Sequence, residues 1–85
     1  MKIIYAEEFS KEFDKLPASA QILFRRQEKF FRVDWRDPRL HTKKLQGQLV
    51  TFSFRVTRKY RALFIFVDEQ TALFATIGHR KEVYR

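Results

Sequence analysis

The hydrophobic period of this chain switches from helical to strand-like near its midpoint, and that switch restricts the fold more than any other feature. Phe9, Phe13 and Leu16 lie at i, i+4 and i+7, one stripe of a helix whose other faces carry Glu8, Lys11, Glu12 and Lys15. Pro17 stops that helix, and Ser19 is a suitable N-cap for a second one. There Leu23, Phe24, Phe30, Phe31 and Trp35 form a broad apolar face, and Asp37-Pro38 ends the helix. Arg39 to Gln48 reads as a polar, basic loop. After Gln48 the period becomes two, with Val50, Phe52, Phe54 and Val56 alternating with Thr51, Ser53, Arg55 and Thr57. Tyr60 to Val67 and Thr71 to Ile77 continue as strands, with turns at Arg58-Lys59 and Asp68-Glu69-Gln70 and a stop at Gly78. Lys2 to Tyr5 supplies a short first strand, and Val83-Tyr84-Arg85 a last short piece of edge strand. The order is β-α-α-β-β-β. It predicts an α+β fold, with the N-terminal strand and helical hairpin packed on one face of a small, mainly antiparallel sheet.

Eighty-five residues make one domain, residues 1–85, that needs a dense core to fold alone. Ten Phe, three Tyr and one Trp against two Gly and two Pro supply it. The absence of Cys excludes disulfide scaffolds and thiolate metal sites. The start of the chain turns acidic at Glu7-Glu8 before any apolar run long enough for a signal peptide. The longest apolar stretch, Ala62 to Val67, is too short to span a bilayer. A soluble, cytoplasmic protein with no membrane partner is expected.

Charge is distributed unevenly. Residues 1–38 carry a net +1 and residues 39–85 a net +7, so the formal +8 belongs almost wholly to the second half of the chain. Such a field attracts polyanions. Strand phase sorts the cations. With Phe52 and Phe54 turned to the helices, Ser53 and Arg55 point to the open sheet face. With Ala62, Phe64 and Phe66 in the core, Arg61 emerges beside Arg55, and Leu63 and Ile65 need the sheet to curl over them. Arg80 and Tyr84, after the third strand of the meander, reach the same side, while Arg58 and Lys59 sit at its rim. Lys43 and Lys44 in the loop add nonspecific phosphate contacts. Guanidinium groups present paired donors that match phosphate oxygens and stay charged at any working pH. A Tyr beside them can stack on a base or pass a proton. His79 has an unperturbed pKa near neutrality, which suits proton transfer, although beside Gly78 it also reads as a turn residue. Arg61 has an alternative as the ion-pair partner of Asp68 or Glu69, and Arg80 as that of Glu82. Two His 38 residues apart, with no clustered carboxylates, give no metal-ligand spacing, and no cofactor motif is present.

Several of these segments together resemble a known family. Gly47, Phe54-Arg55-Val56, Lys59-Tyr60-Arg61-Ala62-Leu63-Phe64, Ile77-Gly78-His79-Arg80 and Val83-Tyr84 are similar to the pattern of the RelE/ParE superfamily of bacterial and archaeal toxins. The resemblance spans essentially the whole chain. It implies a toxin of a type II toxin–antitoxin system. Members of the RelE branch are metal-independent, ribosome-dependent endoribonucleases (mRNA interferases), in which the 2′-hydroxyl of mRNA attacks the adjacent phosphate. The ParE branch poisons DNA gyrase instead. Both bind a cognate antitoxin, typically an acidic or partly disordered chain. Carried over, Arg61 and Arg80 become the phosphate-stabilising arginines and Tyr84 the tyrosine that stacks on or activates the nucleotide. Where the RelE branch offers lysines on the first hairpin strand this chain has Phe52 and Phe54, and the loop carries no Glu. His79 is then the candidate for acid/base work. The other outcome is a gyrase inhibitor, or a degenerate toxin that binds only its antitoxin.

Overall fold

A computed structural model describes residues 1–47 and 50–84. Gln48, the expected end of the basic loop, and Arg85, expected in a terminal edge piece, lie outside the described residues. The elements are β1 (Lys2–Tyr5), α1 (Glu7–Asp14), α2 (Ala18–Val33), a 3₁₀ turn (Pro38–Leu40), β2 (Lys43–Leu45), β3 (Thr51–Arg55), β4 (Tyr60–Asp68), β5 (Thr71–His79) and α3 (Arg80–Val83). The expected α+β order is present, with two additions, β2 and α3. The strands form one sheet in the order β1-β5-β4-β3-β2, parallel only between β1 and β5.

Both long helices lie against one face of that sheet. Phe9 of α1, Phe24 and Phe31 of α2, and Phe54, Phe64 and Phe74 of the strands are all buried there. Phe31 is central, with ring centroids 4.9 Å from Phe64, 5.0 Å from Phe74 and 5.6 Å from Phe54. The contacts with Phe64 and Phe74 are edge-to-face, a geometry that adds to the area the rings bury. A second group joins Trp35 to Phe52 and Phe66 at 5.3 and 5.0 Å.

The core also explains an irregularity in β5. Phe74 and Ile77 are both buried although three residues apart, which strict alternation forbids. The register jumps from Leu63↔Thr76 to Phe64↔Phe74, leaving Ala75 as an extra residue, so a bulge re-phases the strand.

Several boundaries differ from the sequence expectation. Ser19 does not cap α2: the helix begins at Ala18, after Pro17, whose carbonyl accepts from the Ala20 and Gln21 N–H groups. Proline's fixed φ suits a helix entry, and the first residues of the helix, Ala18 and Ser19, are exposed, so water can serve their N–H groups. At the other end α2 stops at Val33 and not at Asp37-Pro38. The Asp34 carboxylate accepts the Arg36 N–H at 2.9 Å, a local turn that competes with another helical turn and carries Trp35 off the helix. Val50 lies ahead of β3 and is exposed, not core-facing. The terminal edge strand is absent among the described residues, because Arg80–Val83 is a helical turn. The basic loop contains β2, an edge strand too short and too lysine-rich to show an alternating pattern. Lysines on an edge discourage pairing with other chains.

Asp37 organises the entry to β2. Its carboxylate accepts from the Arg39 backbone and guanidinium, and these hydrogen bonds and charge lower its pKa from 3.8 to about 2. A depressed native pKa means that the stabilisation is complete above the unfolded value of 3.8 and is lost as pH falls toward about 2. Thermal melts of wild type and Asp37→Asn are therefore expected to differ at neutral pH and to converge at the acid end. A constant offset across the range would contradict this.

Candidate nucleic-acid interface

The open face of the sheet is built by the β3–β4 hairpin. Arg55 and Arg61 stand directly opposite each other in its register, followed by Ser53↔Leu63 on the same face. Like charges facing across two strands are destabilising unless a partner relieves them. Among the described residues no carboxylate does so: the ion pairs there are Lys11–Glu7, Lys15–Glu12, Arg25–Glu28 and Arg39–Asp37. Pairing of Arg61 with Asp68 or Glu69, or of Arg80 with Glu82, is not what the structure contains. The Arg55 Nε is buried with no hydrogen-bond partner among the described residues.

Arg61 is held by its own turn. Its Nη1 donates to the carbonyls of Thr57, Arg58 and Tyr60 at 2.7, 3.1 and 3.0 Å. The Thr57 hydroxyl accepts from the Lys59 and Tyr60 N–H groups, which shapes this turn without the Asn-Gly or Asp-Gly of a tight hairpin. Three carbonyl contacts on one nitrogen fix the guanidinium in place before any ligand arrives. Burial lowers its pKa. Tyr84 opposes that shift, and the like charges of Arg55 and Arg80 add to it. A guanidinium starts so far above neutrality that Arg61 remains a cation at any working pH.

The chain end folds back over this face. The Arg80 N–H donates to the Lys59 carbonyl at 2.7 Å, tying the start of α3 to the hairpin turn. The Tyr84 hydroxyl donates to the buried Ser53 Oγ at 3.1 Å. Val83 packs where a side chain on Gly78 would stand, its Cγ1 3.0 Å from the position of an added Cβ. Leu63 is half-buried on this face, and Val83 and Tyr84 line one hollow with it. Gly78→Ala must displace Val83 and, through α3, Tyr84. It is expected to shift the NMR signals of the Val83 methyls and the Tyr84 ring, with little change in melting temperature. Unchanged signals would show that α3 tolerates the added methyl in place.

The remaining candidates separate by face. Lys43 pairs with Ser53 and so belongs to the open face, whereas Lys44 pairs with Phe52 and stands on the other. Arg58 and Lys59 are exposed at the hairpin tip, at the rim. His79 stands apart from the arginines. It pairs with Tyr60, whose ring packs against the core, and the two rings meet edge-on at 5.9 Å, so its imidazole lies on the sheet face opposite Arg61. Its Nδ1 accepts the Lys81 N–H at 3.1 Å and caps α3. Strand alternation carries Gly78, not His79, onto the cleft side.

Sequence reasoning missed one positioning residue. Gln27 is buried on α2, and its Nε2 donates to the Arg39 carbonyl at 2.9 Å and the Arg55 carbonyl at 2.8 Å. It thereby ties the end of β3, and with it Arg55, to the helix layer. The available signal was a glutamine within the apolar row Leu23–Gln27–Phe30.

Among the described residues, no helix is long and apolar enough to cross a membrane. No protein-family model matches the sequence, and no curated protein matches it. Solved structures do. A chain of the RelB–RelE antitoxin–toxin complex from Methanococcus jannaschii superposes with a TM-score of 0.77 at 22% identity, over 95% of this chain and 94% of that one. The YoeB/ParE toxin from Agrobacterium tumefaciens gives 0.80 at 12% identity, over 94% and 99%. The isolated E. coli RelE toxin gives 0.72 at 21% identity, over 98% and 89%. Over nearly its whole length the chain therefore has the fold shared by RelE and YoeB/ParE toxins.

Proposed function

We propose that this protein, acting as one domain over residues 1–85, is the toxin of a type II toxin–antitoxin pair and cuts mRNA on the ribosome in the cytoplasm. The observation that carries the reading is the facing pair Arg55 and Arg61, without carboxylate partners among the described residues and set beside Tyr84. In the reaction the 2′-oxygen bonds to the adjacent phosphorus, and the bond from phosphorus to the 5′-oxygen of the next nucleotide breaks. The products are a 2′,3′-cyclic phosphate and a 5′-hydroxyl, and the proton lost by the 2′-hydroxyl is balanced by one gained at the leaving oxygen. Negative charge accumulates on the phosphoryl oxygens in the transition state, where Arg61, Arg55 and Arg80 stabilise it. Tyr84, held by Ser53, orients the nucleotide. Arg58, Lys59 and Lys43 hold flanking phosphates. An antitoxin of opposite charge covers this face in the resting complex.

Expression of the free protein with mapping of mRNA 5′-ends tests the reading. New ends inside translated frames, lost when translation is blocked, are expected. DNA gyrase arrest with intact mRNA would establish the second reading. The position of His79 on the far face favours that alternative, since it removes an acid/base group from the cleft.

A further inference from the structure

Beyond Tyr84 from the arginine pair, the open face sinks into a hollow of about 590 Å³, lined by Leu45, Leu63, Val83 and Tyr84 with Gln46 and Thr51 among its polar groups. The register makes it continuous with the arginines: Leu45↔Thr51 and Ser53↔Leu63 are the next same-face positions after Arg55↔Arg61. The Ser53 row is two residues along the strand from Arg55, about 7 Å. The size is that of a small-molecule site.

We infer that this hollow is a nucleobase subsite, and that Gln46 and Thr51 discriminate among bases. The inference rests on the reading that the arginine face takes an RNA phosphate, and it adds where the attached base goes and what reads it. An unpaired base has two apolar faces and one polar edge. Leucine, valine and tyrosine side chains with two hydrogen-bonding groups match that distribution, and a hollow of apolar residues alone would not. The Gln46 amide presents a donor and an acceptor side by side, and Thr51 adds a hydroxyl that does either. Tyr84 is the wall common to both parts of the site. One nucleotide can therefore set its phosphate against Arg61 and its base against Leu63. Lys43 also lines the hollow, where it meets the neighbouring phosphate.

The test is titration of the full chain, labelled for methyl NMR, with each of the four nucleoside 3′-monophosphates and with inorganic phosphate. Shifts at the Leu45, Leu63 and Val83 methyls are expected with nucleotides and not with phosphate. Gln46→Leu is expected to reduce the affinity difference between the best and worst base by about tenfold, and Thr51→Val to reduce it less. Arg61→Ala is expected to weaken all four nucleotides alike. Methyls that respond to no nucleotide, or a base preference unchanged in Gln46→Leu, would overturn the proposal. This readout does not depend on catalysis. Methyl shifts without mRNA cleavage in cells would refute the enzyme reading alone, and cleavage without the shifts would refute the subsite alone.

Discussion

Cleavage of ribosome-bound mRNA by Arg61→Ala is expected to fall by on the order of 10³-fold, the scale of losing one preorganised donor to transition-state charge. The substitution also removes three contacts to turn carbonyls, so a stability loss of about 1–2 kcal/mol accompanies it. Arg61→Lys separates the two effects. Lysine keeps the charge but has no planar fork with which to grip the Thr57, Arg58 and Tyr60 carbonyls and still face the cleft. Its rate is expected to lie between those of wild type and alanine. Initial rates with purified ribosomes, together with thermal melts of each variant, check this. A folded Arg61→Ala protein that cuts at the wild-type rate would remove Arg61 from the site.

Phe31→Ala is expected to be the most damaging core substitution. The side chain is fully buried, and its ring meets Phe54, Phe64 and Phe74, one from each of β3, β4 and β5. Truncation of a buried phenylalanine costs about 3–5 kcal/mol. A small domain has about 5–15 kcal/mol in total. The variant is expected to lose most of its denaturant resistance, which urea unfolding followed by circular dichroism would show. Ile22→Ala is the control, because Ile22 is 70% exposed on the same helix. Equal losses in the two variants would mean that the helix layer does not pack as described.

Glu28 is a milder case with the opposite sign. Burial raises its pKa, and Arg32 partly offsets this. A carboxyl whose native pKa lies above its unfolded value destabilises the fold as pH rises through that interval. Glu28→Gln keeps an acceptor for the Tyr5 hydroxyl, and is expected to flatten the stability curve above pH 4.5 without weakening the fold at neutrality. Melts across that interval that retain the wild-type slope would contradict this.

The facing of Arg55 and Arg61 was legible because alternation is rigid. Once Phe52 and Phe54 face the helices, Arg55 must face away, and the same logic places Arg61 beside it. His79 shows the limit. It lies one residue past Gly78, so strand phase puts it on the wrong side of the sheet, and proximity in sequence to Arg80 says nothing about face. β2 was illegible for another reason: three residues with two lysines carry no measurable period. Its pairing with β3 nevertheless decides that Lys43, and not Lys44, belongs to the cleft.

The period switch, the ten phenylalanines and the charge asymmetry by themselves determine an α+β fold with its cations on the sheet half, since amphipathic period and burial are local properties of the chain. Tertiary structure alone decided that α3 folds back over the sheet, that Tyr84 meets Ser53, 31 residues earlier, and that Arg61 hangs on its own turn. Those contacts depend on strand order, register and one close approach at Gly78. No single segment of the sequence encodes them.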